Sequence, residues 1–141
     1  MDYELYKKYE EVSLSTEMRS LFADIITSDE ATRKTFLTIG KQTLNTDSFG
    51  ITIKQIADLI KIDRKVQNKD GTFKLVHTNI DRKHVERIVD KLLGMSVCYF
   101  RSIPPSKVIN LTIRGKEVTA EIKKRIEQNK NKGEEPKHVH E

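Results

Sequence analysis

Apolar positions recur at helical spacing along most of this chain, and the places where that period breaks divide it into elements. From Leu14 to Thr27, residues Met18, Leu21, Phe22, Ile25 and Ile26 mark one face of a helix. Thr27 with Glu30 has the form of a capping box opening a second helix, whose apolar positions include Phe36, Leu37, Ile39 and Leu44. The turn-forming run from Asn45 to Gly50 predicts a loop. Thr52 and Gln55 then supply another capping box for a short amphipathic helix carrying Ile53, Ile56, Ala57, Leu59 and Ile60. The stretch from Asp63 to His77 breaks the helical period, and Asp70-Gly71 within it predicts a hairpin or loop tip. Asn79 is placed to cap a third amphipathic helix running through Leu93, with Gly94 as its left-handed terminator. There Val85, Ile88, Val89 and Leu92 form a single buried stripe. Lys83, Glu86 and Arg87 point away from it, and Arg82 lies on its flank. After Gly94 the pattern turns extended. Ser96–Ser102 and Val108–Thr112 predict two strands joined by a Pro104-Pro105 turn that no ladder can include. Gly115 precedes a last helix with Val118, Ile122 and Ile126 spaced four apart. From Gln128 onward the chain is polar, and residues 129–141 predict a disordered tail.

The order from Thr52 onward is helix, long connection, helix, strand, turn, strand, helix. A short buttressing helix before one with an outward basic face is the logic of a helix-turn-helix, and the proline-containing hairpin behind it predicts a wing. The expected fold is therefore mainly α with a small β-hairpin wing, an α+β winged helix-turn-helix with flanking N- and C-terminal helices. One domain is expected over residues 1–128.

Charge sharpens that picture. The net charge is +5, yet residues 51–116 carry +8 while residues 1–50 carry −3 and residues 117–141 are neutral. A surplus concentrated in the helix-turn-helix region predicts a polyanion partner rather than mere solubility. The candidate DNA-binding set is Thr78, Asn79, Arg82, Lys83, Arg87, Arg101 and Lys107. Asn79, Arg82, Lys83 and Arg87 are expected to read bases in the major groove, and Glu86 can accept from cytosine. Arg101 and Lys107 flank the hairpin tip, within reach of phosphates or the neighbouring minor groove.

Three segments carry a resemblance: Thr52–Ile60 (TIKQIADLI), Asp81–Met95 (DRKHVERIVDKLLGM) and Asn110–Lys116 (NLTIRGK). In order and spacing they resemble the winged-helix regulators of the MarR type, over residues 51–118. The resemblance implies a sequence-specific double-stranded DNA binder, a transcription regulator whose flanking helices build a homodimer. The surplus of apolar side chains over residues 14–44 and 118–126 points to the same homodimer. The chain departs from the family at Lys61–Thr78, where the family has a turn of a few residues. That connection reads either as an extra DNA-contacting arm, through Arg64, Lys65, Lys69 and Lys74, or as a disordered surface insertion. The departure also leaves room for a plasmid or phage replication or partition protein on the same fold. A protein–protein adaptor is the competing class, since fold alone does not settle function.

Other chemistries find little to stand on. No phosphate-cradling glycine loop or paired catalytic carboxylate pattern is present, so no enzyme activity and no cofactor are expected. His138 and His140 lack cysteine or carboxylate partners at metal-site spacing, and His77 and His84 make no zinc pair, so no metal is expected. The single cysteine, Cys98, lies in an apolar strand and reads as a buried structural residue rather than a redox sensor. Apolar runs such as Phe22–Ile26 and Leu92–Phe100 fall short of the roughly 20 residues of a membrane span. The acidic start Met1-Asp2-Tyr3-Glu4 does not read as a signal peptide. The expected compartment is the cytoplasm.

Overall fold

Helix starts in this protein are set by short polar side chains that accept otherwise orphaned backbone N–H groups. The computed structural model describes residues 1–45 and 48–140, with side chains up to residue 131. Its first elements are α1 (Tyr3–Lys8), α2 (Thr16–Thr27), α3 (Glu30–Thr43) and α4 (Ile53–Leu59). Asp2, Ser15 and Asp29 cap the first three, and Thr52 with Gln55 forms the expected reciprocal capping box on α4. The box expected at Thr27 and Glu30 does not form. The Thr27 hydroxyl is used inside α2, donating to the Ala23 carbonyl at 2.7 Å. The Asp29 carboxylate instead takes both the backbone N–H and the hydroxyl of Thr32, at 3.0 and 2.6 Å. Part of the loop before α4, Thr46 and Asp47, lies outside the described residues.

The connection after α4 is an ordered antiparallel hairpin, β1 (Lys61–Gln67) and β2 (Phe73–Asn79), which overturns the reading of a disordered insertion. Ile62 and Val66 in β1 and Phe73, Val76 and Thr78 in β2 are the β-branched and aromatic residues that favour extended backbone. Asp70-Gly71 does sit at the tip: Gly71 has a positive φ of 89°, and the Asp70 carboxylate accepts from the Thr72 backbone at 2.9 Å and from its hydroxyl at 2.5 Å. At the base, Ile80 N–H donates directly to Ile60 O at 3.0 Å, so the chain leaves and rejoins the body at one point.

Helix α5 (Arg82–Gly94) follows, capped by Asp81 rather than Asn79. Asn79 stays in the ladder opposite Lys61, and its side-chain amide donates to the carbonyls of Ala57 and Asp58 at 3.2 and 3.1 Å. Val85, Ile88, Val89 and Leu92 are all buried, as their spacing predicts. Gly94 remains helical, and the left-handed residue is Ser96, with φ 64°. The Ser96 carbonyl is held there by the Thr112 hydroxyl at 2.7 Å and the Arg114 guanidinium at 3.2 Å.

Strands β3 (Cys98–Ile103) and β4 (Ser106–Leu111) pair around the cis Pro104-Pro105 bond. The hairpin is bracketed by single bridges, Asp2 beside Phe100 on one edge and Ile51 beside Ile109 on the other. Helix α6 (Ile113–His140) begins before Gly115, and a Cβ at that glycine would run into the Val97 carbonyl. Its backbone continues to His140 through the segment whose composition predicts a disordered tail; Lys130, Lys132, Glu134, Glu135 and Lys137 there favour helix, whereas Gly133 and Pro136 oppose it. The side chains of His138 and His140 lie outside the described set.

Ile26, Phe36, Ile39, Ile56, Val85, Leu92, Ile109, Val118 and Ile122 fill one shared core. Helices α2 and α6 lie side by side in the same direction. Glu117 takes the Leu14 N–H at 3.0 Å and also holds Ser13 and Arg19, while further along Arg125 reaches Asp24 at 2.6 Å and the Ser20 hydroxyl at 2.8 Å. The fold is thus α+β, with six helices and two small antiparallel hairpins among the described residues. No described helix is long and apolar enough to cross a membrane.

Candidate nucleic-acid interface

Helix α5 projects two cations, Lys83 and Arg87, from the face opposite its buried stripe and a third, Arg82, from its flank. Arg82, Lys83 and Arg87 are exposed, with Lys83 and Arg87 one turn apart on the same side. Among the described residues none of the three makes a side-chain hydrogen bond or ion pair, so no described side chain neutralises their charges. Thirteen helical residues give a rod of about 20 Å, and its diameter of about 10–12 Å matches the roughly 12 Å width of the major groove of duplex DNA.

The β3–β4 tip comes up beside the first half of that helix. A cleft of about 310 Å³ opens between them and the start of α4, lined by Thr52, Lys54, Arg82, Glu86, Pro105 and Lys107 among others. Three cations from three separate elements therefore converge, with one carboxylate among them. Lys107 lies against the Phe100 ring, its ammonium 4.8 Å from the ring centre, which limits the freedom of a long side chain at the cleft mouth. A second cleft of about 300 Å³ shares Ile53, Glu86 and Lys107 and adds the Asp90 carboxylate, with the apolar Val89, Leu93, Phe100 and Ile109 in its walls.

Arg101 and Lys107 do not act as a pair. Arg101 pairs with Val108 and Lys107 with Ser102, and adjacent register pairs face opposite sides of a hairpin. Lys107 consequently faces α5, whereas the Arg101 guanidinium stacks 3.9 Å over the Tyr3 ring of α1. The ring of Tyr6 in α1 stacks on Tyr99 at 4.4 Å, on the same side. Burial, opposed by the nearby Arg101 charge, holds the Tyr99 hydroxyl above its usual pKa.

Thr78 is half-buried in β2 opposite Ile62, and Asn79 spends its donors on α4. Both stand at the base of the β1–β2 hairpin, apart from the α5 cluster. Lys54 is the residue that sequence reasoning missed. Its signal was present: it sits in the first turn of α4, on the side away from Ile53, Ile56 and Ala57, but a lone lysine there is indistinguishable from ordinary surface charge until the hairpin tip is known to approach. Cys98 is wholly buried, and burial pushes its thiol far above the ordinary range, which removes the reactive thiolate.

Comparison with known proteins finds no matching protein family, no matching curated protein and no matching solved structure.

Proposed function

We propose that this chain binds double-stranded DNA sequence-specifically as a winged helix-turn-helix protein, with α5 as the reading helix, α4 as its buttress and β3–β4 as the wing. The observation that carries the reading is the convergence of Lys54, Arg82 and Lys107 on one cleft beside the unneutralised Lys83 and Arg87. An array of free cations on a protruding helix and an adjacent hairpin is what a phosphate-lined groove complements. In this reading α5 enters the major groove, Arg82, Lys83 and Arg87 meet base edges and phosphates, and Glu86 accepts from a cytosine amino group. Lys54 and Lys107 grip the backbone on either side.

The biological role that fits best is a dimeric cytoplasmic transcription regulator of the MarR type. Apolar side chains left exposed on the adjacent helices α2 and α6, namely Met18, Leu21 and Ile126, support a second copy docking there. The hairpin between α4 and α5 departs from that family's short turn, and it favours a second role on the same DNA-binding fold, replication or partition of a plasmid or phage.

The test begins with duplexes selected from a random library, followed by salt-resolved titrations. Arg87→Ala is expected to cost about 1–3 kcal/mol and to relax preference at one position. Lys107→Ala is expected to weaken all sequences alike and lower the salt slope by about one. Melting temperatures should not move, since neither side chain fills the core. If Arg87→Ala, Lys83→Ala and Lys107→Ala combined leave affinity intact, the DNA reading fails and the adaptor reading replaces it.

A further inference from the structure

The β1–β2 hairpin is a seven-pair ribbon that the other described residues leave uncovered beyond its base. Of its strand residues only Ile62 is buried, while Phe73 and Leu75 are 66% and 69% exposed. A two-stranded ribbon without a packed face is only marginally stable in water, so an uncovered one is expected to gain from a partner. The kind of partner follows from how its charges are disposed. The segment Lys61–Asn79 carries five cations and two carboxylates. Both carboxylates are already engaged inside the hairpin: Asp63 with the His77 ring at 2.9 Å, and Asp70 with Thr72 at the tip. Arg64, Lys65, Lys69 and Lys74 make no side-chain hydrogen bond or ion pair among the described residues. The ribbon therefore presents four unneutralised cations spread along its length, on both faces and at the tip.

We infer that the β1–β2 hairpin is a second DNA-contacting arm, lying along the phosphate backbone that flanks the segment read by α5; this rests on the DNA-binding reading above. Seven residues of strand extend about 24 Å, which matches about seven phosphates along one strand of duplex DNA. The base is firmly held. Ile80 bonds to Ile60, Asn79 bonds to the last carbonyls of α4, and the Lys34 ammonium donates to Lys61 O at 2.8 Å. The arm leaves the body three residues before Arg82, so its base and the first turn of the reading helix move as one piece. An arm anchored in this way contacts phosphates without reading bases, so it should lengthen the bound site and leave its sequence preference unchanged.

The experiment compares the parent with the variant Arg64→Gln/Lys65→Gln/Lys69→Gln/Lys74→Gln on a library-selected duplex extended by ten base pairs on each side. Circular dichroism checks that the fold is intact. The variant is expected to select the same sequence as the parent, with the salt slope lowered by about two to four. Its hydroxyl-radical footprint should shorten by about five to seven base pairs on the arm's side. An unchanged slope and footprint, in a parent that does bind, would overturn the arm and leave the α5 reading standing. A parent that binds no duplex overturns both. The apolar residues give a separate control. If Phe73→Ala/Leu75→Ala turns a dimeric parent into a monomer while the four-glutamine variant binds DNA like the parent, the hairpin's partner is a second copy and the arm is overturned.

Discussion

Asn79 separates the sequence reading from the structure more sharply than any other residue, and its replacement by alanine shows which is right. As a base reader, it would be idle in the free protein, and Asn79→Ala would leave thermal stability untouched. In the structure its amide donates to the Ala57 and Asp58 carbonyls, two of the terminal acceptors of α4 that no later helical N–H can reach. The Ala57 bond is partly buried and the Asp58 bond is exposed, so water can replace the second more readily than the first. A net loss of about 1 kcal/mol follows for the pair, using about 0.5–1.5 kcal/mol for the shielded bond and little for the other. For a chain of 141 residues that lowers the melting temperature by about 3–5 °C. Differential scanning calorimetry at neutral pH measures it directly. Asn79→Asp makes a useful companion, because a carboxylate facing two carbonyls should cost more than alanine. An unchanged melting temperature in Asn79→Ala, together with lost discrimination at one base position, would refute the structural role and restore the reading role.

Three further outcomes follow from particular contacts. Burial alone would raise the pKa of Glu117, but bonds from the Ser13 hydroxyl, the Leu14 N–H and the Arg19 guanidinium outweigh it and hold the carboxyl below its usual value. A lowered folded pKa stabilises above the unfolded value of about 4.3 and ceases to do so as pH falls through the folded one; Glu117→Gln should therefore lose about 1–3 kcal/mol at pH 7, and denaturant titrations should show the gap closing below about pH 4. The Thr35 hydroxyl is buried with no hydrogen-bond partner among the described residues, so Thr35→Val should hold or raise the melting temperature, and a fall of several degrees would show a partner at that hydroxyl. Sedimentation at micromolar concentration should give about twice the chain mass, and Met18→Glu/Leu21→Glu should halve it; a monomeric parent ends the dimer proposal.

Where apolar periodicity dominated, the fold was legible. The α5 stripe, the α4 capping box and strands β3 and β4 follow from side-chain spacing alone. Misreadings cluster where two polar residues compete for one task within a few positions. The sequence reading gives the α3 cap to Thr27 and the α5 cap to Asn79, whereas Asp29 and Asp81, each two residues further on, hold those positions. In each case the carboxylate took the helix and the neutral side chain bonded elsewhere. Helix α1, six residues long, went unread because beyond its Asp2 cap the contacts that hold it come from residues distant in sequence. Its aromatic rings stack on β3, and the Arg114 guanidinium holds the carbonyls of Tyr9 and Val12 at 2.9 and 2.7 Å from far along the chain. For the candidate site, Arg82, Lys83 and Arg87 were legible from the helical wheel. The opposite facing of Arg101 and Lys107 was not, because it depends on hairpin register.

The direct hydrogen bond between Ile60 and Ile80 makes the intervening hairpin a side branch rather than a stage in the chain's path through the core. Open space surrounds its tip, where no described residue lies within 4 Å of the position a Cβ on Gly71 would take. A peptide tag or a fluorescent domain spliced in at Asp70-Gly71 would leave Ile56, Val85 and Leu92 in their places, which makes the tip a natural point of attachment for a reporter. The same geometry bears on descent. A branch joined at a single point can be lengthened, trimmed or lost in one insertion or deletion event, so chains that share this core are free to differ most at this position.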